Sequence, residues 1–144
     1  MRYSSAGLLA AGLALLACGG EGTPFSPTVE TVAGSYQATT LTATQGSTTV
    51  NLLQGGGSLT LNLLEDGTTT GRLFVPGAGE TGGDLDVDLI GTWTLTGSTV
   101  TFDQPNSDTF VRDMSFTAER NRIRGEETFT STGGDFTISV VLTK

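Results

Sequence analysis

The sequence predicts an all-β fold: an antiparallel up-and-down meander of eight or nine strands closed into a small barrel, with a β-sandwich as the alternative. Three observations carry this. The 144 residues include 26 threonines and 21 glycines, a composition suited to pleated, half-buried strands separated by turns. No stretch beyond residue 32 shows an apolar period of 3.6 residues. Apolar and polar residues instead alternate in short runs, interrupted by turn signals such as Asp66-Gly67, Gly97-Ser98 and Gly133-Gly134.

The chain opens with Met1-Arg2-Tyr3-Ser4-Ser5 and an apolar run over residues 6–17, the length of a signal peptide and too short to span a bilayer. Cleavage by the ordinary secretory peptidase after Ala17 places bulky Leu15 at −3, where a small residue is wanted. Leu15-Leu16-Ala17-Cys18 instead resembles the bacterial lipobox. That resemblance implies that Cys18 becomes the first mature residue and carries a thioether-linked diacylglycerol, with a further acyl chain on its amino group in many bacteria. At about 0.8 kcal/mol per buried methylene, two or more chains hold a small domain at a membrane. Gly19 follows the cysteine, so the aspartate that marks inner-membrane retention in enterobacterial lipoproteins is absent. The expected location is the cell envelope, with the protein lipid-anchored to the outer membrane and facing the periplasm.

Removing residues 1–17 removes Arg2, and the formal charge of 7 − 15 = −8 becomes 6 − 15 = −9. Such an acidic chain is repelled by nucleic acid and by anionic headgroups, so no nucleic-acid partner is expected and the lipid must do the anchoring. Cys18 is the single cysteine, which rules out a disulfide within the chain and leaves stability to one core. Residues 18–28 are glycine, proline and small polar residues with no apolar period and read as a lipidated, flexible tether. The folded domain is expected over residues 29–144.

Candidate strands follow at 32–44, 49–54, 58–65, 69–75, 84–96, 99–103, 109–118, 121–131 and 135–143. A two-residue turn at Gly97-Ser98 sets Leu95 opposite Val100 and Trp93 opposite Phe102. A turn at Glu119-Arg120 sets Phe116 opposite Ile123, Met114 opposite Gly125, Arg112 opposite Glu127 and Phe110 opposite Phe129. A turn at Gly133-Gly134 sets Ser131 opposite Phe136, Phe129 opposite Ile138 and Glu127 opposite Val140. All three hairpins share one apolar face. At Asp66-Gly67 a two-residue loop puts Arg72 opposite Leu61, whereas a longer one pairs Leu61 and Leu63 with Val75 and Leu73. That register stays open. One apolar face on a consecutive meander requires closure or folding over, and short connections favour the barrel.

Gly91-Thr92-Trp93 is similar to the Gly-x-Trp pattern of lipocalins, and residues 32–36 (Val-Ala-Gly-Ser-Tyr) with the Asp66-Gly67-Thr68 turn resemble small bacterial lipocalin-like lipoproteins. The resemblance covers about residues 29–144 and implies a lipocalin-like β-barrel. In lipocalins the Gly-x-Trp lies on the first strand; here it lies past the middle of the chain. The resemblance implies that Arg112 takes the part of the family's arginine, which packs across the tryptophan from a late strand, here Trp93.

Function is read from four constellations. Arg112 and Glu127 are the charged exceptions on the apolar face, either a structural ion pair near a barrel mouth or a polar anchor for a ligand headgroup. Asp84, Asp86 and Asp88 project from one strand about 6.6 Å apart, too far to converge on one calcium ion without help from the glycine-rich loop at 77–83, so a solvated face is expected and no metal site. Arg120, Arg122 and Arg124 read as local charge pairing, with Arg122 and Arg124 beside Glu126, or as a docking patch. Histidine is absent, which excludes Ser-His and Cys-His catalysis and the usual zinc sites. Neither catalysis nor a cofactor is expected. Two functions remain. In the first, the barrel binds a small hydrophobic or amphipathic ligand among Trp93, Phe102, Phe110, Arg112, Met114, Phe116, Glu127 and Phe129. In the second, a filled barrel serves as a structural or protein-docking module that recognises an unspecified protein partner through loops at 76–83 and 104–108. An unfilled interior volume distinguishes the two.

Overall fold

The computed structural model describes residues 22–144; the expected leader at residues 1–17 and Cys18 lie outside them. A single helical turn, α1 (Val29–Val32), opens the domain, capped reciprocally by Thr28 and Thr31. Ten strands follow: β1 (Gly34–Gln45), β2 (Thr48–Asn51), β3 (Ser58–Leu63), β4 (Thr68–Val75), β5 (Leu85–Asp88), β6 (Gly91–Thr96), β7 (Thr99–Asp103), β8 (Phe116–Glu119), β9 (Arg122–Ser131) and β10 (Gly134–Thr143). A second helical turn, α2 (Phe110–Asp113), lies between β7 and β8. The antiparallel order β10-β9-β8-β7-β6-β4-β3-β1 is closed by pairing of β10 with β1, giving an eight-stranded barrel, with β2 and β5 added at its rim.

The wall is apolar inward and polar outward. Leu59, Leu61 and Leu63 alternate inward on β3 while Thr60 faces water. Outward positions include Ser35, Gln37, Arg72, Thr92 and Thr94, the reverse of a barrel whose outer face meets lipid. On β1 a bulge between Ala38 and Thr40 changes the inward set from Tyr36 and Ala38 to Leu41 and Ala43. The bulge lets one 12-residue strand feed both the barrel and its rim. Gly71 and Gly91 permit close strand approach. A Cβ on Gly71 would come within 2.2 Å of the Thr60 carbonyl oxygen, and one on Gly91 within 2.0 Å of that of Asp103.

Register departs from expectation in an ordered way. The Gly97-Ser98 hairpin pairs Leu95 with Val100 and Trp93 with Phe102, as expected. The next two turns sit one residue away from their predicted positions, at Arg120-Asn121 and Thr132-Gly133. Glu119 therefore faces Arg122, Ala118 faces Ile123, Phe136 faces Phe129 and Ile138 faces Glu127. Asn121 takes the left-handed seat (φ 61°), which asparagine tolerates better than glutamate or arginine. Between β3 and β4 a three-residue loop ending at Gly67 (φ 85°) sets Leu61 opposite Gly71 and Leu59 opposite Leu73, neither of the registers weighed from sequence.

Two expected strands are interrupted. The 84–96 strand breaks at Leu89-Ile90, so that β5 and β6 pair with different ends of β4. The 109–118 strand is half helix: Val111 and Met114, three residues apart, are both buried, and Arg112 pairs with Asp108 in the i, i+4 relation. Residues 104–113 lead from β7 toward β8, and the Ser107 hydroxyl donates to the carbonyl of Asp88, the last residue of β5, at 2.6 Å. Among the described residues no helix is long and apolar enough to cross a membrane.

Candidate functional site

The eight residues expected to line a ligand site fall into three separate places. Trp93, Phe102, Met114 and Phe116 meet in the core, with relative exposures of 4%, 7%, 1% and 0%. Phe102 and Phe116 pack edge to face with centroids 5.5 Å apart, a favoured aromatic geometry. Phe116 and Met114 occupy space left by Gly125, whose Cβ would lie 3.0 and 3.1 Å from their side-chain atoms. The Trp93 indole N–H donates to the Leu64 carbonyl at 2.8 Å and its amide donates to Gly67, tying β6 to the β3–β4 loop. Around them Leu41, Leu59, Leu61, Leu63, Leu73, Ile123 and Leu142 are fully buried. The barrel axis is occupied by side chains.

Phe110, on α2, is half-buried against this core. Phe129 lies elsewhere, stacked on Phe136 at 5.6 Å toward the tip of the β9–β10 hairpin. Arg112 and Glu127 do not pair. Arg112 is held by Asp108 at 2.9 Å and Asp113 at 3.0 Å, while Glu127 is exposed on β9 opposite Ile138. The expected pair presupposed a strand through Arg112, and α2 carries that side chain away.

Arg112, bound to Asp108 and Asp113, does not lie over the Trp93 ring, and a cation meets an aromatic ring at Tyr36 and Lys144. The Lys144 ammonium lies 5.5 Å from the Tyr36 ring centroid and donates to the Thr31 and Ala33 carbonyls, both at 2.7 Å. Tyr36 lies on β1 and is buried. Its hydroxyl donates to the Val32 carbonyl at 2.6 Å. Burial pushes the Tyr36 pKa up to about 12 and pulls that of Lys144 below its ordinary value.

Several of the remaining charged groups have partners within the domain. Arg122 and Arg124 both reach Glu119 rather than Glu126, whose carboxylate accepts from the Ser139 hydroxyl at 2.7 Å. Arg120 lies 5.6 Å over the ring of Phe25, so the expected tether is in contact with the domain at that point. Asp86 accepts two hydrogen bonds from Arg72, at 2.7 and 2.5 Å, which hold its carboxyl below the usual range. Asp84 accepts from the Gly77 amide at 3.0 Å. Among the described residues no three His, Cys, Asp or Glu side chains gather in a way that holds a metal ion.

Strand directions give the barrel two unlike ends. At one lie α1, the C-terminus and the β3–β4, β6–β7 and β8–β9 turns. Glu30, Glu65, Asp66 and Glu119 are balanced there by Arg120, Arg122, Arg124 and Lys144. The other ten carboxylates of the described residues share the rest of the domain with Arg72 and Arg112 alone. Toward that acidic end β9, β10, β1 and β2 run on past the closed barrel. Their inward face forms a groove of about 480 Å³ with Ala43, Val50 and Phe136 on its walls. Sequence reading missed this face because its apolar positions lie on four separate strands. No protein-family profile, curated protein or solved structure matches this chain significantly, so its residues alone carry the functional reading.

Proposed function

We propose that this protein is a lipid-anchored component of a bacterial cell envelope, held at the outer membrane and facing the periplasm, that works by docking a protein partner at its surface. The anchor is the diacylglycerol expected on Cys18, and residues 1–17 are its signal peptide. The observation that carries the docking reading is the packing of Trp93, Phe102, Met114 and Phe116 into a continuous core. A barrel that encloses a small hydrophobic ligand keeps room beside such side chains. Here they contact one another and the leucines of β3 and β4. The end at which Phe25 enters is the end nearest the lipid, so the acidic end faces away from the membrane.

Intact mass spectrometry of the full-length protein extracted from its own host's membranes tests both halves. The anchor reading expects loss of residues 1–17 and the added mass of a diacylglycerol, with or without a third acyl chain. Replacement Cys18→Ser should release the protein into the soluble fraction. The docking reading expects a native mass free of any additional small molecule. A co-purifying amphiphile whose extraction shifts Trp93 fluorescence would restore the ligand-binding barrel.

A further inference from the structure

The barrel leaves one long strand edge open. β9 pairs with β10 along its whole length, from Arg122 to Ser131, but with β8 only over Arg122, Ile123 and Arg124. Beyond Arg124 the chain preceding β8 turns away into α2. The two-residue turns fix which groups face outward. Arg122 closes the hairpin with Glu119 and Ser131 closes the one with Gly134, so odd-numbered residues of β9 bond to β10 and even-numbered residues point at the β8 side. The amide and carbonyl groups of Glu126, Thr128 and Thr130 therefore line a free edge. No backbone hydrogen bond among the described residues reaches them from that side. All three residues are exposed.

On this basis we propose that the β9 edge from Glu126 to Thr130 takes up an extended, cationic segment of a partner protein as an added strand. The inference rests on the surface-docking reading above and names its site and partner class. Strand addition supplies the main-chain bonds, and side chains at alternate positions supply selectivity. The neighbouring charges are Glu126, Glu127 and Asp135, with Arg124 two residues before Glu126 turned to Glu119 at 2.8 Å, and β10 carries no cation before Lys144. A cross-strand lysine or arginine fits Glu126 on the outer face and Glu127 on the inner face. Next to them the stacked Phe129 and Phe136 rings offer an apolar platform for an aliphatic side chain. A second copy of this chain is a poor occupant, because antiparallel pairing of two β9 edges gathers four carboxylates in one ribbon.

Hydrogen exchange on the full-length protein in detergent tests the proposal, with the capped peptide Thr-Val-Thr-Lys-Lys-Val-Thr as probe. At saturation the amides of Glu126, Thr128 and Thr130 should exchange at least tenfold more slowly, and the effect should weaken as salt rises. Thr128→Pro removes a donor on the free edge and leaves the backbone bonds to β10 in place, losing only the hydroxyl contact with Thr137; it should weaken peptide binding at least tenfold while leaving Trp93 fluorescence unchanged. A peptide with Glu-Glu in place of Lys-Lys should not bind. Absent protection, equal binding by Thr128→Pro, or equal binding of the Glu-Glu peptide overturns the proposal, as does self-association through β9. The native mass of the same sample keeps the two readings apart. A bare mass without protection rejects the β9 edge alone, whereas a co-purified small molecule rejects surface docking itself.

Discussion

Replacing Phe116 with alanine measures directly whether the barrel is filled. Phe116 is fully buried, meets Phe102 edge to face, and sits against Met114 in the space that Gly125 leaves open. Truncating such a side chain in a close-packed interior costs about 3–5 kcal/mol, the sum of lost transfer energy and an unrelaxed cavity. Loss of the aromatic pair lies within that range and accounts for about 1 kcal/mol of it. A domain of this size has an unfolding entropy of about 0.26 kcal/mol/K, so a loss of about 4 kcal/mol lowers the melting temperature by about 15 °C. Urea unfolding followed by Trp93 fluorescence should show the same loss as a lower midpoint with unchanged slope. Phe129→Ala is the control, since Phe129 is half-buried beyond the core and should cost about 1 kcal/mol. A Phe116→Ala penalty as small as the control's would refute the reasoning, because it would mean that the interior already holds space into which neighbours relax.

Three further outcomes are expected. The Gln104 side chain is fully buried with neither amide atom hydrogen-bonded, so Gln104→Met should raise stability by about 1–2 kcal/mol in urea titration; a loss would show that the amide has a partner. Lys144→Ala removes both bonds to the Thr31 and Ala33 carbonyls and should speed amide exchange at Val32 and Ala33 about fivefold, the effect of about 1 kcal/mol. Tyr36 has a folded pKa raised from 10.0 to about 12, so its contribution is complete below pH 10 and is lost as the pH rises through about 12. Alkaline titration should show unfolding in that window, and Tyr36→Phe should move it higher.

Faces were easier to read from the sequence than partners. Both misplaced turns, at Glu119-Arg120 and Gly133-Gly134, lie one residue from their observed positions, and each such error shifts strand pairing by two. Because side chains alternate with period two, a shift of two changes every partner and no face. Ile123 and Phe129 therefore stay inward, although the first meets Ala118 rather than Phe116, and the second Phe136 rather than Ile138. The apolar alternation constrains the face strongly; only turn chemistry constrains the partner. At the β8–β9 turn that chemistry was present in Asn121, one residue beyond the pair chosen, and it is the only non-glycine residue among those described with positive φ.

The helical turn at α2 failed for a different reason, and the same segment decides the candidate site. Phe110, Arg112, Met114 and Phe116 alternate well enough to read as a strand, but that reading places a guanidinium on the apolar face and then needs Glu127 to neutralise it. Burying an ion pair recovers its desolvation cost only with good geometry and further hydrogen bonds. The chain instead forms one helical turn, which leaves Arg112 on the surface between Asp108 and Asp113 and buries Val111 and Met114. The charge that broke the alternation was thus evidence against the strand, and Asp108 at i−4 was the local signal for the helix. By leaving the sheet at α2, the chain also limits β8 to four residues, three of which pair with β9, and uncovers β9 beyond Arg124. One charged residue that cannot stay in a strand accounts both for the absence of an Arg112–Glu127 site inside the barrel and for the open edge outside it.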